Sequence, residues 1–370
     1  IYGDFRDLAY FYVDVMVGVP PQTVSVITDT GSSLMAFPCA GCSTCGKHQH
    51  AKYDPKKSTT SAPYMCGSSQ CSYSQSYQEG SSLRGKLWKD RVWLGDEHMK
   101  SEGRDVASSE WGIQHPFGCH TSEGGLFKSQ LADGIIGMSQ GKDMNQHERS
   151  FVVALLKSGK VKEKTFAMCM KFHGGSLTLG GYDESTHTSN VSYFPLEPSG
   201  SFYKVHVTDL QIGSKSLGIS AGKLNEGSPG SIVDSGTSFV YIPSEAHRAF
   251  SAHIASYCHA STDRCVMKKT KPPSGEFLCY IVNQESSLSP AEQLATFPDF
   301  TIKFKSGVSL VVPPRNYLIK MSWDGNAYCA GVYNNGAHTG TVIGANSMLD
   351  HDFIFDIAQR RIGIATANCD

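Results

Sequence analysis

One pattern occurs twice in this chain and constrains its fold more than any other feature. Val26-Ile27-Thr28-Asp29-Thr30-Gly31-Ser32-Ser33 returns as Ser231-Ile232-Val233-Asp234-Ser235-Gly236-Thr237-Ser238, an apolar run that ends in Asp-hydroxyl-Gly-hydroxyl. A single Asp-Thr-Gly is an ordinary turn tripeptide. The second copy argues against that reading, because the surroundings repeat as well. Asp29 is followed after 108 residues by Gly137 in Gly134-Ile135-Ile136-Gly137, and Asp234 after 110 residues by Gly344 in Val342-Ile343-Gly344. Matched motifs at matched spacing predict two homologous halves. Gly, Ser, Thr and Pro cluster between Asp183 and Ser201, which sets an N-terminal lobe at 1–190 and a C-terminal lobe at 191–370.

Between the repeats the chain reads as all-β. YFYVDVMVG, VSVITDTG, KLWKDRVWLG, SLTLGG, YKVHVTDLQIG and FTIKFKSGVSLVV are short, alternating or β-branched, and punctuated by Gly, Pro, Asp and Ser. Helical spacing is confined to Glu148–Leu156 and to Ser244–Tyr257, where Ser244 offers an N-cap; both read as surface helices on sheets.

Each half delivers a carboxylate at the end of an apolar strand, a costly place for charge unless neighbours satisfy it. Thr30 and Ser235 one residue on, and Ser32 and Thr237 three residues on, are expected to supply hydroxyls, while Gly31 and Gly236 let backbone amides approach. With the halves packed about a pseudo-twofold axis, Asp29 and Asp234 meet, and like charges so close share one proton. Such a pair suits amide hydrolysis without a covalent intermediate: one Asp takes a proton from a bound water while the other donates to the scissile carbonyl oxygen. The chemistry requires no cofactor and no metal.

Composition excludes other classes. Thirty-three basic against 34 acidic residues leave a net charge of -1 with no basic run, so nucleic acid is not an expected partner. No stretch has the roughly 18 to 20 apolar residues of a membrane span, and the first residues lack a signal-peptide layout. The residues given read as soluble; any signal, prosegment or membrane anchor of a precursor would lie outside them. Twelve cysteines suggest six disulfides and hence the secretory pathway: endoplasmic reticulum, Golgi, vacuole or extracellular space. Asn190-Val191-Ser192 is a glycosylation acceptor triplet, in keeping with that route. The rival for the first cysteines is zinc, since Cys39, Cys42, Cys45 and His48 follow one another at metal-ligand spacing. So close a spacing strains a four-ligand site, and an oxidising compartment favours disulfides.

With the two Asp motifs, DGIIGMS and GTVIGANSMLDHDFIFDIAQRRIGIA, nearly the whole chain resembles the pepsin-like aspartic proteases. The resemblance implies a bilobal β fold, a substrate cleft between two homologous lobes, and a hairpin flap at about 73–87. It also implies a zymogen, a monomer, peptide or protein substrates, and inhibition by pepstatin or peptidomimetics. Tyr77, in Ser76-Tyr77-Gln78-Glu79-Gly80-Ser81, matches the flap tyrosine that folds over substrate. In this family a Trp seven residues after the first Asp commonly hydrogen-bonds that tyrosine; here the position is Ala36, so the flap must be held differently. The insert 39–71, with Cys39, Cys42, Cys45, Cys66 and Cys71, and the triplet Phe117-Gly118-Cys119 are similar to the plasmepsin V and nepenthesin-type branch, which favours the endoplasmic reticulum or Golgi. In the plasmepsin V type a flap Glu binds a substrate arginine; Glu79 matches it, whereas Gln78 stands where that type has an unpaired Cys. The expectation is a selective processing protease that prefers Arg near the scissile bond, through a bidentate pair. The alternatives are a broad-specificity digestive or vacuolar protease and a non-catalytic binding protein on the same fold. Similarity to the membrane-anchored β-secretase type suggests Cys169–Cys369 and Cys279–Cys329. Proximity suggests Cys66–Cys71 and Cys258–Cys265, and Cys39, Cys42, Cys45 and Cys119 stay open. Gly218-Ile219-Ser220-Ala221-Gly222 spells a serine-hydrolase elbow, but its flanks read as loop.

Overall fold

A computed structural model describes residues 1–77, 80–94, 112–140, 150–273, 278–321 and 323–369. Its organising unit is built twice. In the first half, strand Gln22–Asp29 runs parallel to Gly134–Gly137, with Gly137 opposite Asp29. The chain leaves Asp29, turns, and returns as Met35–Pro38 on the other side of Gly134–Gly137, antiparallel to it and parallel to Ile113–Gly124. In the second half Ser231–Val233 lies parallel to Val342–Ile343. Val240–Ile242 returns on its far side, parallel to Val332–Asn334. The strand order is the same in both copies. The sequence repeat is therefore a repeat of topology, with each Asp at the tip of a strand threaded beside its apolar-apolar-Gly segment.

A third sheet joins the halves. Gly174–Leu179, Thr165–Lys171, His351–Asp356, Arg361–Thr366 and Ser192–Pro195 lie side by side, so strands from the middle and from the last part of the chain share one sheet. Phe166 stacks on Phe355 at 4.5 Å, Tyr203 covers Phe355, and the Tyr203 hydroxyl donates to the Met138 carbonyl at 2.8 Å. The bilobal, all-β pepsin-like architecture follows from these sheets, and no helix among the described residues is long and apolar enough to cross a membrane.

The helices differ from expectation in two respects. Phe151–Lys157 is a core helix: Phe151, Val152, Val153, Leu155 and Leu156 are all buried, Ser150 caps it, and Glu148 lies outside the described residues. Ser244–His259 is amphipathic as expected, burying Ala246, Phe250 and Ile254 at four-residue spacing, but its N-cap is Pro243. Ser244 is the first helical residue, and its hydroxyl donates to Asn334 instead.

Six disulfides account for all twelve cysteines. Cys66–Cys71, Cys169–Cys369, Cys258–Cys265 and Cys279–Cys329 join as expected. The open set resolves into Cys39–Cys119 and Cys42–Cys45. Cys169–Cys369 spans 200 residues and anchors the chain's end to the shared sheet. Replacing Cys369 by Ser should cost about 2–5 kcal/mol of stability, read as a lower guanidinium midpoint for the oxidised protein.

Candidate active site

The two loops that follow the repeated strands meet at the junction of the halves. Asp29 is held by its own loop: the Gly31 amide donates to Oδ1 at 2.8 Å and the Ser32 hydroxyl to Oδ2 at 2.5 Å. Asp234 is held in the same manner, by the Gly236 amide at 2.9 Å and the Thr237 hydroxyl at 2.7 Å. The glycines have a further role across the junction. A Cβ on Gly31 would lie 2.5 Å from the Asp234 carboxyl carbon, and one on Gly236 would collide with the Asp29 carboxylate. Each glycine is therefore the floor against which the other half's Asp rests, and only a residue without a side chain leaves room.

Thr30 and Ser235 do not serve the carboxylates as the sequence suggested. They reach across to each other's backbone. The Thr30 hydroxyl accepts from the Ser235 amide at 2.9 Å and donates to the Val233 carbonyl at 3.1 Å. The Ser235 hydroxyl accepts from the Thr30 amide at 3.1 Å and donates to the Thr28 carbonyl at 2.8 Å. Both side chains are buried, so their hydroxyls are fully used and unavailable to Asp29 or Asp234. Four bonds with pseudo-twofold symmetry thus fix the distance between the loops.

Asp29 is 5 % exposed, while Asp234 is half-buried. Burial raises the Asp29 pKa well above the ordinary carboxyl value, and the neighbouring Asp234 raises it further, against the lowering effect of Ser32 and the Gly31 amide. The pair consequently keeps one proton to higher pH than an isolated carboxyl near 3.9 would. A groove of about 960 Å³ is lined by Gly236 and Thr237 of the second Asp loop and by Tyr10, Ile27, Leu131 and Phe239. A second cavity, of about 950 Å³, lies among Tyr257, Phe297, Pro298 and Arg315; neither cavity has Asp29 or Asp234 in its lining, and only the first reaches an Asp loop, at Gly236 and Thr237, so size alone does not locate the site.

Ser72–Ser76 and Ser82–Leu94 pair as a hairpin where the flap is expected, with Ser76 opposite Ser82. Tyr77 donates its amide to Ser81 at the tip, and Gly80 turns the chain with φ +93°. Gln78 and Glu79 lie outside the described residues. Ala36 is fully buried beside Ile135 and Gly118, and the Tyr77 ring instead packs on Phe127 with centroids 5.2 Å apart.

The sequence set Cys39, Cys42, Cys45 and His48 is not a metal site, since the three sulfurs are spent in disulfides. Cys45 does lie close to His120 and Glu123, but as a disulfide sulfur it has no thiolate to offer. His48 faces Glu123 and Gln130 instead, contacts that sequence spacing alone did not reveal. Ser220 is exposed and caps a four-residue helix after the two-residue strand Lys215–Ser216, without the buried strand an elbow needs. Asn190 is exposed just before strand Ser192–Pro195.

Paired carboxylates at the tips of duplicated strands, locked by reciprocal hydroxyl bonds, define the aspartic protease class. The chain belongs to the eukaryotic aspartyl protease family, whose model matches residues 10–367. It is 36% identical to aspartic protease 5 of Toxoplasma gondii over 209 residues, 50% of this chain and 20% of that protein. It is 35% identical to plasmepsin V of Plasmodium falciparum over 201 residues, 51% of this chain and 32% of that protein. It is 25% identical to an aspartic proteinase of Oryza sativa subsp. japonica across 100% of this chain and 90% of the relative. The chain thus spans a fifth to a third of the length of the first two relatives and nearly all of the third.

Thr30→Val keeps the shape of residue 30 but leaves the Ser235 amide and the Val233 carbonyl buried without their partner. We expect a loss of about 2–4 kcal/mol in denaturant unfolding, with Ser235→Ala comparable. The double variant should lose less than the sum of the two.

Proposed function

We propose that this chain is an aspartic endopeptidase in which Asp29 and Asp234 are the catalytic residues. The carrying observation is the pseudo-symmetric placement of two carboxylates, one of them pushed to hold a proton, beside a groove of about 960 Å³ that Gly236 and Thr237 of the second Asp loop help to line. A water held between them loses a proton to the ionised carboxylate as it attacks the scissile carbonyl. The other carboxyl donates to the carbonyl oxygen, and the hydrated amide then collapses with the proton passed to the leaving nitrogen. Ser32, Thr237 and the Gly31 and Gly236 amides hold the carboxylates in place for both transfers. Thr30 and Ser235 act as positioning residues through the backbone. Tyr77 and Gly80 belong to a flap that closes over the peptide and excludes bulk water.

Within that reading, residues 1–190 and 191–370 are the two lobes and the chain works as a monomer on peptide or protein substrates, with pepstatin or peptidomimetics as inhibitors. Its route is the secretory pathway: six disulfides need an oxidising compartment, and one relative, 23% identical, is the vacuolar aspartic protease of Candida albicans. The likeness to plasmepsin V supports a processing role in the endoplasmic reticulum or Golgi, in which Glu79, next to Gln78 in the sequence, pairs a substrate arginine.

Cleavage of a peptide library at several pH values tests this directly. Asp29→Asn and Asp234→Asn should each lower kcat by about 10²–10⁴. The kcat/KM profile should be bell-shaped: the acid limb falls as the second proton is gained, and the alkaline limb lies above 3.9 because the Asp29 pKa is raised. Glu79→Gln should slow only Arg-containing peptides; equal rates on Arg-containing and Arg-lacking peptides would instead identify a broad-specificity enzyme.

A further inference from the structure

Beside the flap lies a buried ionic cluster that the dyad chemistry does not use. His48 belongs to the cysteine-rich insert, and Glu123 ends strand Ile113–Gly124. The His48 Nε2 is 3.1 Å from Glu123 Oε2 and its Nδ1 is 3.0 Å from the Gln130 carbonyl oxygen, with the His48 and Glu123 side chains 3% and 0% exposed. A carbonyl only accepts, so Nδ1 must carry hydrogen. Glu123 receives the Gly46 amide on Oε2 at 2.9 Å and His120 Nδ1 on Oε1 at 2.9 Å, as an ionised carboxylate does. Nε2 must therefore carry hydrogen too, and His48 is an imidazolium with both N–H groups engaged.

What those two bonds bracket is the segment from Glu123 to Gln130, and the middle of that segment carries the flap. The Leu126 amide donates to the Ser81 hydroxyl at 3.0 Å, and the Phe127 ring packs against Tyr77. The insert adds a parallel fastening where the Gln49 amide donates to the Leu131 carbonyl at 3.0 Å. We propose that His48, as a doubly donating cation, is a positioning residue for the flap: it clamps both ends of Glu123–Gln130 and so holds Leu126 and Phe127 under Ser81 and Tyr77. It supplies from the insert the support that Ala36 leaves out. This rests on the proteolytic reading above only in so far as the flap is taken to cover a peptide.

The electrostatic surroundings agree. Burial acts to lower the His48 pKa, but the bonds to Glu123 and Gln130 and the charges of Glu123 and Asp133 outweigh it and raise the value above the usual 6.5. Glu123 is held down to about 2, against burial, by His120, His48 and the Gly46 amide. His120, fully buried, is kept neutral by burial and by the neighbouring His48 charge. Asp133 is engaged by His50 at 2.8 Å, Lys47 is exposed, and the adjoining Cys42–Cys45 sulfurs do not titrate. By linkage, the His48 contribution is complete below 6.5 and is lost as pH rises through its raised value. The Glu123 contribution is complete above about 4.5 and is lost as pH falls toward 2.

Two readouts on the intact protein test the clamp: amide hydrogen exchange at Tyr77, whose N–H bonds Ser81, corrected for the intrinsic effect of pH, and the pH profile of kcat/KM on a cleaved peptide. In the parent, Tyr77 protection should fall as His48 loses its proton. His48→Gln, with donors at one end only, should lower protection and kcat/KM by about tenfold at pH 6 and abolish that pH-dependent step. His48→Arg, cationic at every pH with donors for both acceptors, should restore protection and carry it to higher pH. If the Gln variant does not fold, following the His48 ring and the Tyr77 amide together by NMR titration of the parent decides the same point. Superposable profiles for parent and Gln variant, or a Tyr77 amide indifferent to His48 titration, would overturn the clamp. Absence of any peptide cleavage with a normal exchange response would overturn the proteolytic reading and leave the clamp standing.

Discussion

The reciprocal bonds between Thr30 and Ser235 are the constraint on which the rest of the site depends. Two carboxylates driven together repel, and each also loses water on burial, so left to themselves the loops would separate. Buried hydroxyl-to-backbone bonds oppose that separation because breaking one leaves two polar groups without water to replace the partner. Their placement one residue from each Asp sets the spacing directly, while Gly31 and Gly236 permit it sterically. The carboxylates are then free to be electrostatically strained, which is how a shared proton persists between them.

The cysteine-rich insert acquires a structural meaning from the same viewpoint. Cys39–Cys119 ties its base to the strand beside the flap, and Cys42–Cys45 shapes the turn that delivers Gly46 and His48 to Glu123. Ala36 in place of a bulky aromatic removes one means of steadying the flap tyrosine, and the insert brings another by fastening the segment that carries Phe127. Buried charge is an expensive way to achieve this, and the network bears it only because every oxygen of Glu123 and both nitrogens of His48 have partners.

Much of this is legible in the chain. The all-β class, the two aspartate loops and the roles of Ser32, Thr237, Gly31 and Gly236 are local matters, settled within four residues of each Asp. Thr30 and Ser235 escape a local reading because their partners lie 205 residues away, and a hydroxyl next to an Asp carries no mark of which backbone it will meet. Phe151–Lys157 reads as a surface helix because its apolar spacing looks the same whether one face or nearly all of it is covered. From sequence His48 stands only as a zinc ligand, since its partners Glu123 and Gln130 enter through a fold-level crossing. What sequence conceals here is consistently the identity of distant polar partners.

The sheet shared by both halves has a consequence in time. Thr165–Lys171 pairs with His351–Asp356, and Ser231–Val233 pairs with Val342–Ile343, so the last strands of the chain complete both the junction and the second Asp loop. During synthesis, a ribosome-bound chain lacking that tail has Asp29 and Asp234 but no frame to bring them face to face. The nascent polypeptide is thereby denied an assembled dyad until the strands from Val342 to Asp356 have been made.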